Sequence, residues 1–141
     1  MQFKLLAAIG TISIAAMMMT VSPVLSVDMI GMCQDLSREV ESAEGGSHLE
    51  LEISACTAAI ETQGFGHSTY AVLYGARAAG YYFKGQYDRA IADYDQSLQH
   101  FPEYFPAICN RGLAKQKIGD TAGANADFAR ARQLRPQQKC E

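Results

Sequence analysis

KGQYDRAIADYDQSLQHFP, residues 84 to 102, is answered one period later by IGDTAGANADFARARQLRP, residues 118 to 136. With Ala71 set against Phe105 and the chain read on without a gap, Arg77 falls on Arg111, Ala78 on Gly112, Gly85 on Gly119, Ala90 on Ala124, Asp93 on Asp127, Tyr94 on Phe128 and Pro102 on Pro136. The kept residues have packing reasons. Gly85 and Gly119 suit the end of a first helix, where a left-handed backbone costs glycine little. Ala78 or Gly112, opposite Ala90 or Ala124, lets two antiparallel helices approach closely, and Tyr94 or Phe128 fills the space towards the next helix. Pro102 and Pro136 stop the second helix. What varies lies on the solvent-facing and partner-facing surface, so the kept residues are scaffold and carry no catalysis.

The skeleton runs through a large apolar residue, a small one four later, an aromatic near the helix end, then alanine, aromatic, small residue and proline. Those places hold Tyr74, Ala78, Tyr81, Ala90, Tyr94, Ser97 and Pro102, then Ile108, Gly112, Lys115, Ala124, Phe128, Ala131 and Pro136. It resembles the tetratricopeptide repeat. The resemblance implies an all-α fold: about three helical hairpins, six helices, stacked as a right-handed solenoid. Lys115 stands where the family has an aromatic, which predicts a looser second repeat. Upstream, residues 50–61 (ELEISACTAAIE) resemble another second helix, with Cys56 where Tyr94 and Phe128 stand. Residues 35–44 are expected to form its partner helix and Gly45-Gly46-Ser47 the turn between them. Residues 63–68 form a longer connection, with Ser68 or Thr69 available to cap a helix starting near Tyr70.

The expected organisation is an export signal over residues 1–26, a degenerate hairpin over 27–68, repeats over 69–104 and 105–136, and a tail over 137–141. Lys4, the apolar run from Leu5 to Val21, and Val24-Leu25-Ser26 have the pattern of a cleaved secretory signal. The competing reading is an uncleaved anchor, since Leu5 to Leu25 is long enough to span a bilayer. Met32 before Cys33 does not suit a lipid-modification signal. Export, with a periplasmic location in a bacterium and no stable membrane insertion after cleavage, is the expectation. All four cysteines, Cys33, Cys56, Cys109 and Cys140, lie beyond the signal, and an even number in an oxidising compartment favours disulfides. Three pairings exist. Cys33 and Cys56 lie about equally far from the proposed turn, roughly 15 to 20 Å along each helix, which favours joining them and leaves Cys109 with Cys140 as a second bridge.

Net charge is −3. Acids dominate residues 28–61 and bases the last stretch. This balance, with export, argues against nucleic-acid binding. No phosphate loop, nucleophile elbow or metal motif is present, and His48, His67 and His100 fall in turns or at helix ends with no ligand partner four residues away. No cofactor and no enzymatic activity are expected. By the resemblance, partners lie along the concave face made by each first helix, here Val72, Gly75, Ala79, Tyr82 and Phe83, then Cys109, Leu113, Gln116 and Lys117. Family members that bind chaperone tails grip a terminal carboxylate with a Lys and Asn set on these helices. Gly75 and Ala79 replace that set and leave only Asn110, so the trough suits an apolar side chain or helix face of a protein or peptide. The implied role is a non-catalytic interaction module, an adaptor or scaffold. The alternatives are a self-associating structural homo-oligomer, with the acidic and basic ends meeting, and an accessory subunit of an envelope enzyme.

Overall fold

The computed structural model describes Gly31, Cys33, residues 45–62 and residues 64–140. The expected signal segment, the helix at 35–44 and the acid-rich stretch before residue 45 lie outside these, apart from Gly31 and Cys33, which are helical. Five helices follow: α1 Gly45–Glu61, α2 His67–Phe83, α3 Tyr87–His100, α4 Phe105–Lys117 and α5 Thr121–Leu134, with no strand among the described residues. Each packs on its neighbour in sequence, and α2 also touches α4. That is the contact pattern of stacked hairpins.

The recurring residues act in matched places. After α2, Gly85 adopts φ 73° and donates to the Tyr82 carbonyl at 2.9 Å, while Gln86 N–H reaches Tyr81 O at 2.9 Å. After α4, Gly119 adopts φ 83°, donating to Gln116 O at 3.2 Å, and Asp120 N–H reaches Lys115 O at 2.9 Å. Both ends are therefore Schellman turns, in which a left-handed glycine lets two late carbonyls find donors. Phe101 and Arg135, before their prolines, are extended at φ −140°, which ends α3 and α5. α4 is opened by Pro106 in its first turn and α5 by the Asp120 carboxylate, which accepts from Gly123 N–H at 2.9 Å.

Two expectations about helix starts change. Gly45-Gly46-Ser47 is the first turn of α1 and not a connecting loop. Each glycine costs a helix about 0.5 to 1 kcal/mol of backbone entropy, which the buried side chains that follow, Leu49 and Ile53, offset. α2 begins at His67, with Gly66 as an extended N-cap, and neither Ser68 nor Thr69 caps it. The connection is thus shorter than expected.

The core lies between the helix layers. Ala78, Ala90, Tyr94, Leu98, Phe105, Ala107, Ile108, Ala114 and Ala131 form one cluster, and Cys33, Cys56, Ala59 and Leu73 a second beneath α1. Close approach is direct at two glycines: a Cβ on Gly112 would lie 2.6 Å from the Phe128 ring, and one on Gly80 would lie 2.8 Å from Ile53. Cys33 is bonded to Cys56, and Cys109 to Cys140. The second bond carries the tail back onto α4, where the Arg135 guanidinium also sits 4.9 Å over the Phe105 ring.

A polar lattice runs through the same layers. Arg77 on α2 makes a two-pronged pair with Asp93 on α3, Nε to Oδ2 at 2.7 Å and Nη2 to Oδ1 at 2.8 Å, and donates to Thr57 Oγ1 of α1 at 3.2 Å. One repeat on, Arg111 donates to both carboxylate oxygens of Asp127, Nε to Oδ2 at 2.9 Å, and reaches back to Asp95 on α3 at 2.6 Å. Each arginine thus fastens its own hairpin and the helix before it. Lys115 adds a bond to Asp127 at 2.9 Å. The position that predicted looseness is filled by an ion pair in place of a ring. Burial alone would raise Asp127, but hydrogen bonds from Arg111 and Lys115 outweigh it and hold the carboxyl below its usual range.

Candidate functional site

The concave face is set by which sides of α2 are already used. Leu73 and Gly80 pack towards α1, and Ala71, whose carbonyl accepts from Ser97 Oγ at 2.6 Å, packs towards α3. At 100° per residue this leaves Val72, Gly75, Ala79, Tyr82 and Phe83 on one open side. α4 aligns beside it. Together they enclose a groove of two joined hollows.

The first, about 280 Å³, is lined by Val72, Gly75, Ala76 and Ala79 of α2, Pro106, Ala107 and Asn110 of α4, Tyr94 of α3, and Tyr104 from the connection. The second, about 230 Å³, has walls of Tyr82, Phe83 and Leu113 and shares Ala79, Tyr94 and Asn110 with the first. Tyr94 is buried and forms the shared floor. Its phenol is pushed up by burial, partly offset by a hydrogen bond with the Asn110 side chain. Tyr104 is likewise raised by burial. Neither phenol ionises in the physiological range, so the groove presents hydroxyl and amide groups on an apolar surface.

Of the residues expected here, Val72, Gly75, Ala79, Tyr82, Phe83 and Leu113 line the hollows. Gln116 and Lys117 are exposed on the last turn of α4, past the second hollow. Cys109 does not face the groove: it is buried and bonded to Cys140. Tyr104 was missed. Its ring edge would lie 3.2 Å from a Cβ on Gly75, so the glycine makes room for it. A glycine inside a helix, where it weakens the helix, was the available sign of such an approach.

Phe83 is 53% exposed, stands edge-on to Tyr82 at 5.6 Å, and Tyr82 is edge-on to Tyr87 at 5.4 Å. This aromatic rim projects at the end of the groove. Among the described residues no three His, Cys, Asp or Glu side chains converge to hold a metal, and no helix is long and apolar enough to cross a membrane.

No family model matches this chain, and no curated protein is similar to it in sequence. Solved structures share its fold. The second tetratricopeptide repeat domain of human RPAP3, in complex with the HSP70 peptide SGPTIEEVD, superposes with a TM-score of 0.65 at 24% identity, covering 81% of this chain and 89% of that one. The second such domain of Spaghetti (RPAP3), bound to the HSP90 peptide SRMEEVD, gives 0.62 at 23%, covering 80% and 94%. The Arabidopsis OM64 domain gives 0.62 at 23%, covering 79% and 89%. The architecture is that of a tetratricopeptide repeat domain.

Proposed function

We propose that the protein is a non-catalytic adaptor that binds a peptide segment or helix face of another protein in the groove between α2 and α4. The observation that carries this is the groove itself. Two joined hollows with apolar walls, an exposed aromatic rim and one central amide are built on the open side of rigid helices. Two of the solved neighbours, the RPAP3 domains, hold peptides ending in Glu-Glu-Val-Asp. In this chain Gly75 and Ala79 occupy the groove where a carboxylate would need cations, so the partner contributes apolar side chains. Two disulfides fit an exported protein acting in an oxidising compartment such as a periplasm.

The test is a photo-crosslinking residue placed at Leu113, in protein exposed to an envelope extract. One protein is expected to crosslink and to be lost when Tyr82→Ala and Phe83→Ala are introduced together. The peptide SRMEEVD should neither bind saturably nor compete. Crosslinking unchanged in the double variant, or saturable binding of that peptide, would overturn the reading.

A further inference from the structure

Outside the groove, two histidines far apart in sequence converge. His67 is the first residue of α2 and His100 the last of α3, and the antiparallel packing of the hairpin brings their Nδ1 atoms to 3.1 Å. The His100 ring lies over Tyr70 and Tyr74, with centroids at 5.1 and 5.7 Å and interplanar angles of 24° and 15°. Tyr70 is itself held, its hydroxyl donating to the Thr62 carbonyl at 3.1 Å. His100 is thus fixed by stacking, while His67 is exposed. Tyr70 and Tyr74 lie on the side of α2 opposite the groove, so the two features are independent.

Two imidazole nitrogens at this distance need something between them, a proton or a cation. For metal–nitrogen bonds of about 2.0 to 2.1 Å, two ligands on one ion stand about 3.3 Å apart in tetrahedral geometry and about 2.9 Å apart at a right angle. The observed separation lies between these values. We propose that His67 and His100 form a two-histidine site, through Nδ1, for a late first-row divalent ion such as Cu²⁺ or Zn²⁺. No third His, Cys, Asp or Glu joins them among the described residues. The remaining coordination positions are filled by water or by a donor from outside, and the ion exchanges readily. The ion takes the Nδ1 lone pair of each ring in place of the shared proton.

Tag-free protein titrated calorimetrically with Cu²⁺, and separately with Zn²⁺, is expected to bind one ion per chain. The Cu²⁺ form should show electron paramagnetic coupling to two imidazole nitrogens. His67→Ala, at an exposed position, and His100→Phe, which keeps the stacking, should each weaken binding at least tenfold, whereas His48→Ala should leave it unchanged. Absence of stoichiometric binding, or binding that survives in either pair variant, would overturn the site and leave the two rings sharing only a proton.

Discussion

The α4–α5 hairpin and helix α1 both bury a carboxylate, in opposite circumstances. Asp127 is 3% exposed and receives Arg111 and Lys115. Glu52 is 1% exposed, yet neither of its oxygens has a hydrogen-bond partner among the described residues, and burial pushes it from 4.5 up to about 7. Counted from Cys56, Glu52 stands where Ala90 and Ala124 stand in the full repeats, at the small position of the second helix. The difference teaches that α1 keeps the helical path of a repeat, and a bond from Arg77 at Thr57, but sets no cation against its buried carboxylate among the described residues. A disulfide to Cys33 stands where the repeats use an aromatic ring.

The largest expected effect breaks the paired side. Asp127→Asn leaves Lys115 without its carboxylate and Arg111 with Asp95 alone, and should cost about 3 to 5 kcal/mol in urea unfolding, more than Asp93→Asn, which strands Arg77. A smaller loss for Asp127→Asn would mean that Asp95 holds Arg111 by itself and that Lys115 contributes little. Because the folded Asp127 is held below 3.8, its contribution is present above that pH and is lost as pH falls through the folded value.

The unpaired side should respond with the opposite sign. Glu52 is raised on folding, so no penalty exists below about pH 4.5; it grows as pH rises and is complete above about pH 7. Glu52→Gln should therefore stabilise the protein at pH 8 by up to about 3 kcal/mol, the equivalent of the shift at 1.36 kcal/mol per pH unit. The melting temperatures of variant and parent should converge near pH 4.5. A gap that stays constant with pH would show that Glu52 is not titrating in the fold.

A smaller test separates the two full hairpins. Gly112→Ala drives a methyl into the Phe128 ring and should cost about 1 to 3 kcal/mol, although the matching position carries Ala78 naturally. Adding Phe128→Leu should recover part of the loss. No recovery would place the strain elsewhere.

The stacking of hairpins was legible because glycine, alanine and proline recur with the period of the fold, each for a backbone reason that acts locally. The ion pairs were equally visible as Arg77 over Arg111 and Asp93 over Asp127. Their meaning appears only when the hairpin closes and brings residues sixteen apart face to face. His67 and His100 escaped for the same reason: a search at helical spacing does not see two helix ends meeting. In the groove, the residues of α2 followed from periodicity, while Tyr104 comes from a connection whose path no periodicity specifies. Lys115 misled because its place was judged by the aromatic usual there, and a cation can fill that place when a carboxylate waits opposite.

The two disulfides sit at the two ends of the described helices, and the α2–α3 hairpin between them has none. A linear stack ordinarily loosens by fraying from its ends, since a terminal unit has one neighbour fewer. Here each end is tied by a loop whose closure is worth about 3 to 4 kcal/mol. Slow amide exchange should then extend into the outer helices as well as the middle. On reduction the protection should retreat from both ends towards α2 and α3.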